Sequence, residues 1–131
     1  MTRPPVSALL SFTARVVKGA GRGRTIGSPT LNLALHDVPR RLENGIYACR
    51  VSWNRQSYSA AMHCGPRLVF RDSATCEVHV IDHAIRRSPL HVQVMIVKRL
   101  RSIRNFRTVA ALKRQIQRDI EKTRKVLGNR E

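Results

Sequence analysis

Gly45-Ile46-Tyr47-Ala48-Cys49-Arg50-Val51-Ser52-Trp53-Asn54-Arg55-Gln56-Ser57-Tyr58-Ser59-Ala60-Ala61-Met62-His63-Cys64 reads as two strands and a turn. Tyr47, Cys49, Val51 and Trp53 alternate onto one face, and Tyr58, Ala60, Met62 and Cys64 do the same on the return. Period-two alternation places one set of side chains on a core and the other toward the outside. Only Asn54 and Arg55 separate the two runs, the length of a tight hairpin connection. Asn44-Gly45 marks a further turn at the entry.

The same alternation predicts strands over Phe12 to Lys18, Thr30 to Leu35, Thr75 to Asp82 and Leu90 to Leu100. After residue 100 the period changes. Val109, Leu112, Ile116, Ile120 and Leu127 recur at helical spacing, Thr108 is placed to cap the start, and Gly128 supplies the stop. Lys113, Arg114, Arg118, Lys122 and Arg124 fall on the wet side of that helix. The chain is therefore expected to be all-β with one helix: six short strands in a small antiparallel β-barrel, closed on one side by a C-terminal amphipathic α-helix. Residues 1–11 are expected to be a loose N-terminal segment and 12–127 the folded domain.

The 131 residues suffice for one hydrophobic core and not for two, and a hydrophobic content of 42% argues against disorder. No apolar run approaches a membrane span, and the short apolar piece Val6 to Leu10 is too weak for a signal peptide, so a cytoplasmic protein with no membrane partner is expected. Cys49, Cys64 and Cys76 are odd in number and lack a Cys-x-x-Cys spacing; buried free thiols are the expectation. Adjacent His63 and Cys64 point to opposite faces of a strand, which speaks against zinc. Net charge is +17, from 25 Lys and Arg against 8 Asp and Glu, and points to an anionic substrate, nucleic acid or an acidic membrane; the plain alternative is a solvated basic surface with only weak, non-specific polyanion binding. Aromatics are only 5%, too few for a base-stacking platform, and no helix-turn-helix or zinc-finger pattern accompanies the charge.

Chemistry concentrates in Lys18-Gly19-Ala20-Gly21-Arg22-Gly23-Arg24-Thr25-Ile26-Gly27-Ser28-Pro29-Thr30-Leu31-Asn32-Leu33. Gly19, Gly21, Gly23 and Gly27 free the backbone to turn its N–H groups onto one ligand, and Arg22 and Arg24 add positive charge there. Thr30 and Asn32 bring two neutral oxygens of the kind Mg²⁺ takes beside phosphate. The Gly-Lys-Ser/Thr ending of a Walker loop is missing, and no helical pattern follows Gly27 as a dinucleotide fingerprint requires. A solvated glycine hairpin is the plain alternative. In Thr75-Cys76-Glu77-Val78-His79-Val80-Ile81-Asp82, Cys76, Val78 and Val80 share the apolar face, so Glu77 and His79 point to the opposite, more polar one. Glu77 is then either a surface carboxylate or a base facing the phosphate loop across a cleft.

These residues resemble the flavokinase domain of riboflavin kinases, over roughly Phe12 to Leu127 and with the motifs in family order. Gly19-x-Gly21-Arg22-Gly23-Arg24-x-x-Gly27-x-Pro29-Thr30-x-Asn32 is similar to the family's ATP-phosphate loop and Pro-Thr-Ala-Asn motif. Asn44-Gly45-Ile46-Tyr47 resembles its hairpin entry, and Cys76-Glu77-Val78-His79 the strand bearing its catalytic glutamate. Asn105-Phe106 and the following helix resemble its closing element.

The resemblance implies a six-stranded Greek-key barrel that phosphorylates the ribityl 5′-hydroxyl of riboflavin with ATP. It assigns Thr30 and Asn32 to Mg²⁺ and phosphate, and Glu77 to general-base catalysis. Departures fall at Ser28, where the family has phenylalanine, at His63-Cys64-Gly65-Pro66-Arg67-Leu68-Val69-Phe70, and at Arg86-Arg87-Ser88-Pro89. The first of the two longer segments keeps only the Gly, Arg and Phe of the family's Asn-Ile-Gly-x-Arg-Pro-Thr-Phe. An adenylyltransferase His-x-Gly-His motif is missing, so the product expected is FMN. The alternative is a catalytically inactive barrel that uses its basic surface to bind nucleic acid or another partner.

Overall fold

The computed structural model describes residues 10–18, 30–66 and 74–128. Strands β1 (Leu10–Val17), β2 (Thr30–Leu33), β3 (Gly45–Trp53), β4 (Gln56–Pro66), β5 (Ala74–Val80) and β6 (His91–Arg101) precede one helix, α1 (Val109–Leu127). The strands close into a barrel in the order β1-β2-β5-β4-β3-β6, with every pairing antiparallel. Strands β3, β4 and β5 follow one another as neighbours, and β6 returns beside β3, which is the Greek-key arrangement. Closure removes the unpaired edges that an open sheet of this size would expose.

The alternation seen in the sequence sorts the two faces. Leu31, Leu33, Tyr47, Cys49, Val51, Met62, Val78, Val92, Val94 and Ile96 fill the interior, several of them fully buried. Asn54 and Arg55 make the β3–β4 turn with φ of 50° and 65°, the left-handed pair a two-residue hairpin needs, although Arg pays for it in steric strain that Gly would avoid. Gly45 is required for space: a Cβ there would stand 2.7 Å from Arg99 Nε and 3.0 Å from the Arg101 carbonyl oxygen.

Four strand boundaries differ from the sequence pattern by more than one residue. Strand β1 starts at Leu10 because Leu10 pairs with Ile96 and packs on the core. Strand β2 stops at Leu33, where Leu35–Asp37 tightens into a 3-10 turn and Asp37 accepts the Arg15 backbone N–H at 2.9 Å. Strand β4 runs on to Pro66, and β5 ends at Val80 because Asp82 takes φ of 58°, which breaks the extended chain.

Helix α1 spans the expected residues. Thr108 Oγ1 accepts the Ala111 N–H at 3.1 Å, and Gly128 ends the helix with φ of 71°. Its apolar side, with Leu112, Ile116 and Leu127, packs against β3, β4 and β6. No helix among the described residues is long and apolar enough to cross a membrane.

The cysteine expectation holds for one residue of three. Cys49 is a buried free thiol whose pKa burial pushes up to about 12. Cys64 and Cys76 form a disulfide instead: they are opposite one another in the β4–β5 register with Cα atoms 4.2 Å apart, both facing the interior. A local reading of spacing misses this, because the pairing is set by which residues the ladder brings face to face.

Candidate active site

The outward face of β2, β5, β4 and β3 carries the polar residues of the alternation. The ladder register strings them into two rows. Asn32 on β2 stands opposite Glu77 on β5, Glu77 opposite His63 on β4, His63 opposite Ile46 on β3, and Ile46 opposite Arg101 on β6. One pleat along, Thr30 stands opposite His79 and His79 opposite Ala61. Directly opposed residues in an antiparallel pair hold their Cβ atoms about 4.5–5.5 Å apart, so each row is a line of adjacent cross-strand neighbours.

This face is not a wet surface. Glu77 is 3% exposed, His63 8% and His79 4%. The reading of Glu77 as an ordinary surface carboxylate is therefore excluded by its burial. Charged carboxylates are rarely buried without a task or a partner, and both its register neighbours are polar. Thr30 and Asn32 are half-buried on the same face. Of the residues singled out from the sequence, the fold thus brings Thr30, Asn32 and Glu77 together. Gly19, Gly21, Arg22, Gly23, Arg24 and Gly27 lie outside the described residues.

Helix α1 seals the far end of the rows through a buried polar network. Arg101 donates from Nε and one terminal nitrogen to both Asp119 carboxylate oxygens, at 2.9 and 2.8 Å. Gln115 Nε2 donates to Asp119 Oδ1 at 3.1 Å, and Arg104 donates to Gln115 Oε1 at 3.4 Å. Both guanidinium groups lie over the Phe106 ring, at 5.9 and 5.5 Å from its centroid, in cation–π contact. A bidentate Arg–carboxylate pair is the geometry in which buried opposite charges compensate best. Between helix and sheet remains a void of about 20 Å³, bordered by His63, His79, Arg101 and Asp119, large enough for about one water molecule.

His63 and Arg101 were not marked as site residues by the sequence. A hairpin register counted from Asn54-Arg55 would have set His63 beside Ile46; the long-range β3–β6 pairing that adds Arg101 has no local signal. A second concavity, of about 340 Å³, opens beyond the ends of β4 and β5, bordered by Ser57, Tyr58, Ser59, Asp82 and Arg124. Trp53, Tyr58 and His83 stack beside it, with centroids 4.4 Å apart for the first pair and 4.3 Å for the second.

Fold and site together define a small closed barrel whose one polar face sets a buried carboxylate beside two neutral oxygen donors. The chain belongs to the riboflavin kinase (flavokinase) family, whose model matches residues 7–127. It is 32% identical over 120 residues to the bifunctional riboflavin kinase/FMN adenylyltransferase of Escherichia coli strain K12, covering 90% of this chain and 38% of the relative. The Bacillus subtilis enzyme of the same description is 28% identical over 118 residues, covering 87% and 37%. The chain thus spans under two fifths of the length of these curated relatives. Among solved structures, a protein described as a macrolide-efflux protein from Streptococcus pneumoniae superposes with a TM-score of 0.75 at 35% identity, over 88% of this chain and 38% of the other. Riboflavin kinase from Trypanosoma brucei superposes with a TM-score of 0.58 at 21% identity, over 89% and 78%, which shows the shared fold.

Proposed function

We propose that this chain transfers the γ-phosphoryl group of ATP to the ribityl 5′-hydroxyl of riboflavin, yielding FMN and ADP. The observation that carries this reading is the convergence of Thr30, Asn32 and Glu77 on one outward face, in a chain of the riboflavin kinase family. Phosphoryl transfer asks a protein mainly for positioning and for neutralisation of charge. The hydroxyl oxygen attacks the γ-phosphorus, the bond to the ADP oxygen breaks, and the hydroxyl proton passes to the Glu77 carboxylate.

Thr30 and Asn32 offer neutral side-chain oxygens from alternate positions of β2, a hard donor set that fits Mg²⁺ completed by phosphate and water. When bound, Mg²⁺ supplies charge neutralisation at the phosphates. Gly19, Gly21, Arg22, Gly23, Arg24 and Gly27 would cradle those phosphates together with Thr30, with backbone N–H groups and two guanidinium groups as donors. Incubation of the purified protein with riboflavin and MgATP, followed by chromatographic detection of flavins, tests the reading: FMN should accumulate with ADP in equal amount. No FMN above a protein-free control overturns it.

A further inference from the structure

Helix α1 spends its two sides differently. Its inner side is occupied by the barrel, while Lys113, Arg114, Arg118, Lys122 and Lys125 are exposed on the outside. At 100° per residue, Arg114, Arg118, Lys122 and Lys125 fall within a sector of about 80°, along about 16 Å of helix axis. Arg114, Arg118 and Lys122 follow one another at i, i+4 spacing, where like charges destabilise a helix. The first turn of α1 holds no acidic residue to complement the helix dipole, and Arg107 precedes it exposed.

The acids among the described residues do not relieve this. Asp37 pairs with Arg15, Glu43 lies near Arg99, Asp119 holds Arg101, and Asp82 and Glu121 both meet Arg124. Glu121 shares the outer face of α1, yet it leans onto Arg124 at 3.5 Å. Among the described residues, no acid forms an ion pair with Arg114, Arg118, Lys122 or Lys125. The row is unfavourable for the helix itself, and it lies on the opposite side of α1 from the Glu77 face.

We propose that the outer face of α1 is a binding surface for the phosphate backbone of nucleic acid, working alongside the kinase site. A duplex presents one negative charge per about 1.7 Å, so a regular row of four cations about 16 Å long can be engaged at once. An acidic membrane fits less well, because a helix lying in a bilayer surface needs its apolar side, and that side of α1 is buried on the barrel. An acidic protein partner fits less well too: α1 has no Phe, Tyr or Trp to serve as an interface anchor. The same lack of aromatics, and of any base-reading motif, makes the binding indifferent to sequence.

The test is fluorescence anisotropy of the full chain with a labelled 20-base-pair DNA duplex across a salt series, for two duplexes of unrelated sequence. Four neutralised phosphates give a slope of log K against log salt near −3.6, since each contributes about 0.9. The double variant Arg118→Glu with Lys122→Glu should bind at least tenfold more weakly at 100 mM salt, with a slope shallower by about two. Arg40→Glu with Arg41→Glu removes the same charge from exposed positions between β2 and β3, and should cost less than threefold. Arg118→Gln with Lys122→Gln repeats the test without repulsion, should the acidic pair unfold α1. Equal losses in the α1 and control variants reduce the effect to net charge and overturn the proposal. So do a parent that fails to bind at 100 mM salt, a strong preference for one duplex, or tighter binding to vesicles containing phosphatidylserine than to DNA. None of these readouts depends on FMN formation.

Discussion

Glu77 stands directly opposite Asn32 in the β2–β5 ladder, with Thr30 one pleat away on the same outward face. That relationship makes Glu77→Gln the most informative substitution. It keeps the shape and removes the proton acceptor, so flavin phosphorylation should fall while MgADP affinity stays within about twofold. General-base catalysis is worth about 10²–10⁴-fold, and the lower end is expected because a loose phosphoryl-transfer transition state demands little early deprotonation. Asp82→Asn is the contrasting variant: Asp82 lies in the turn after β5, and its exposed ion pair with Arg124 at 2.7 Å contributes about 0–1 kcal/mol. Steady-state rates with matched circular dichroism decide it. Near-parental turnover in Glu77→Gln removes Glu77 from the chemistry.

Thr30→Ala should weaken both MgADP binding and turnover by about tenfold, roughly 1.4 kcal/mol, because one oxygen donor is lost from β2. Titration calorimetry of the variant against MgADP measures it. Undiminished affinity takes Thr30 out of the nucleotide site.

How much of this was legible beforehand follows from what is local. The β3–β4 hairpin, the span of α1 and its Thr108 cap were readable because alternation, helical period and capping chemistry all act within a few residues. Glu77 was legible as a polar-face residue by the same alternation. Its burial was not, since that depends on neighbouring strands and a helix far along the chain. The disulfide between Cys64 and Cys76 and the Arg101–Asp119 pair each join residues from separate elements, so only the assembled register discloses them. Strand ends failed where a turn intervened, as at Asp82, whose left-handed backbone no hydropathy pattern records.

The Arg101–Asp119 pair, with side chains 13% and 4% exposed, predicts an asymmetric mutational response. Asp119→Ala leaves Arg101 as a buried, uncompensated charge and strands the Gln115 amide, and should cost about 3–5 kcal/mol. Replacing both partners, Arg101→Met with Asp119→Leu, removes the charge and its desolvation together and should recover most of that loss. Urea unfolding of the two single variants and the double measures the coupling. A double variant as unstable as Asp119→Ala contradicts the compensation.

The cysteines give a count and a pH dependence. At pH 8 the native protein should react with no thiol reagent, because Cys49 is fully buried and its pKa is pushed up to about 12, while Cys64 and Cys76 are joined. Denaturant alone should release one thiol, and denaturant with a reductant three. Three thiols without a reductant would mean that Cys64 and Cys76 are not bonded to each other. The raised Cys49 value also has a thermodynamic sign. Below the ordinary value of 9.0 the thiol is protonated in both folded and unfolded chains, and the contribution to stability is fully present. Between there and about 12 the unfolded chain releases a proton that the folded one retains, so stability falls as pH rises. Cys49→Ala should flatten that alkaline decline, at the cost of a small cavity in the barrel. Chemical unfolding of parent and variant at pH 8 and pH 10 reads it directly. A decline of equal steepness in both assigns the alkaline loss to groups other than Cys49.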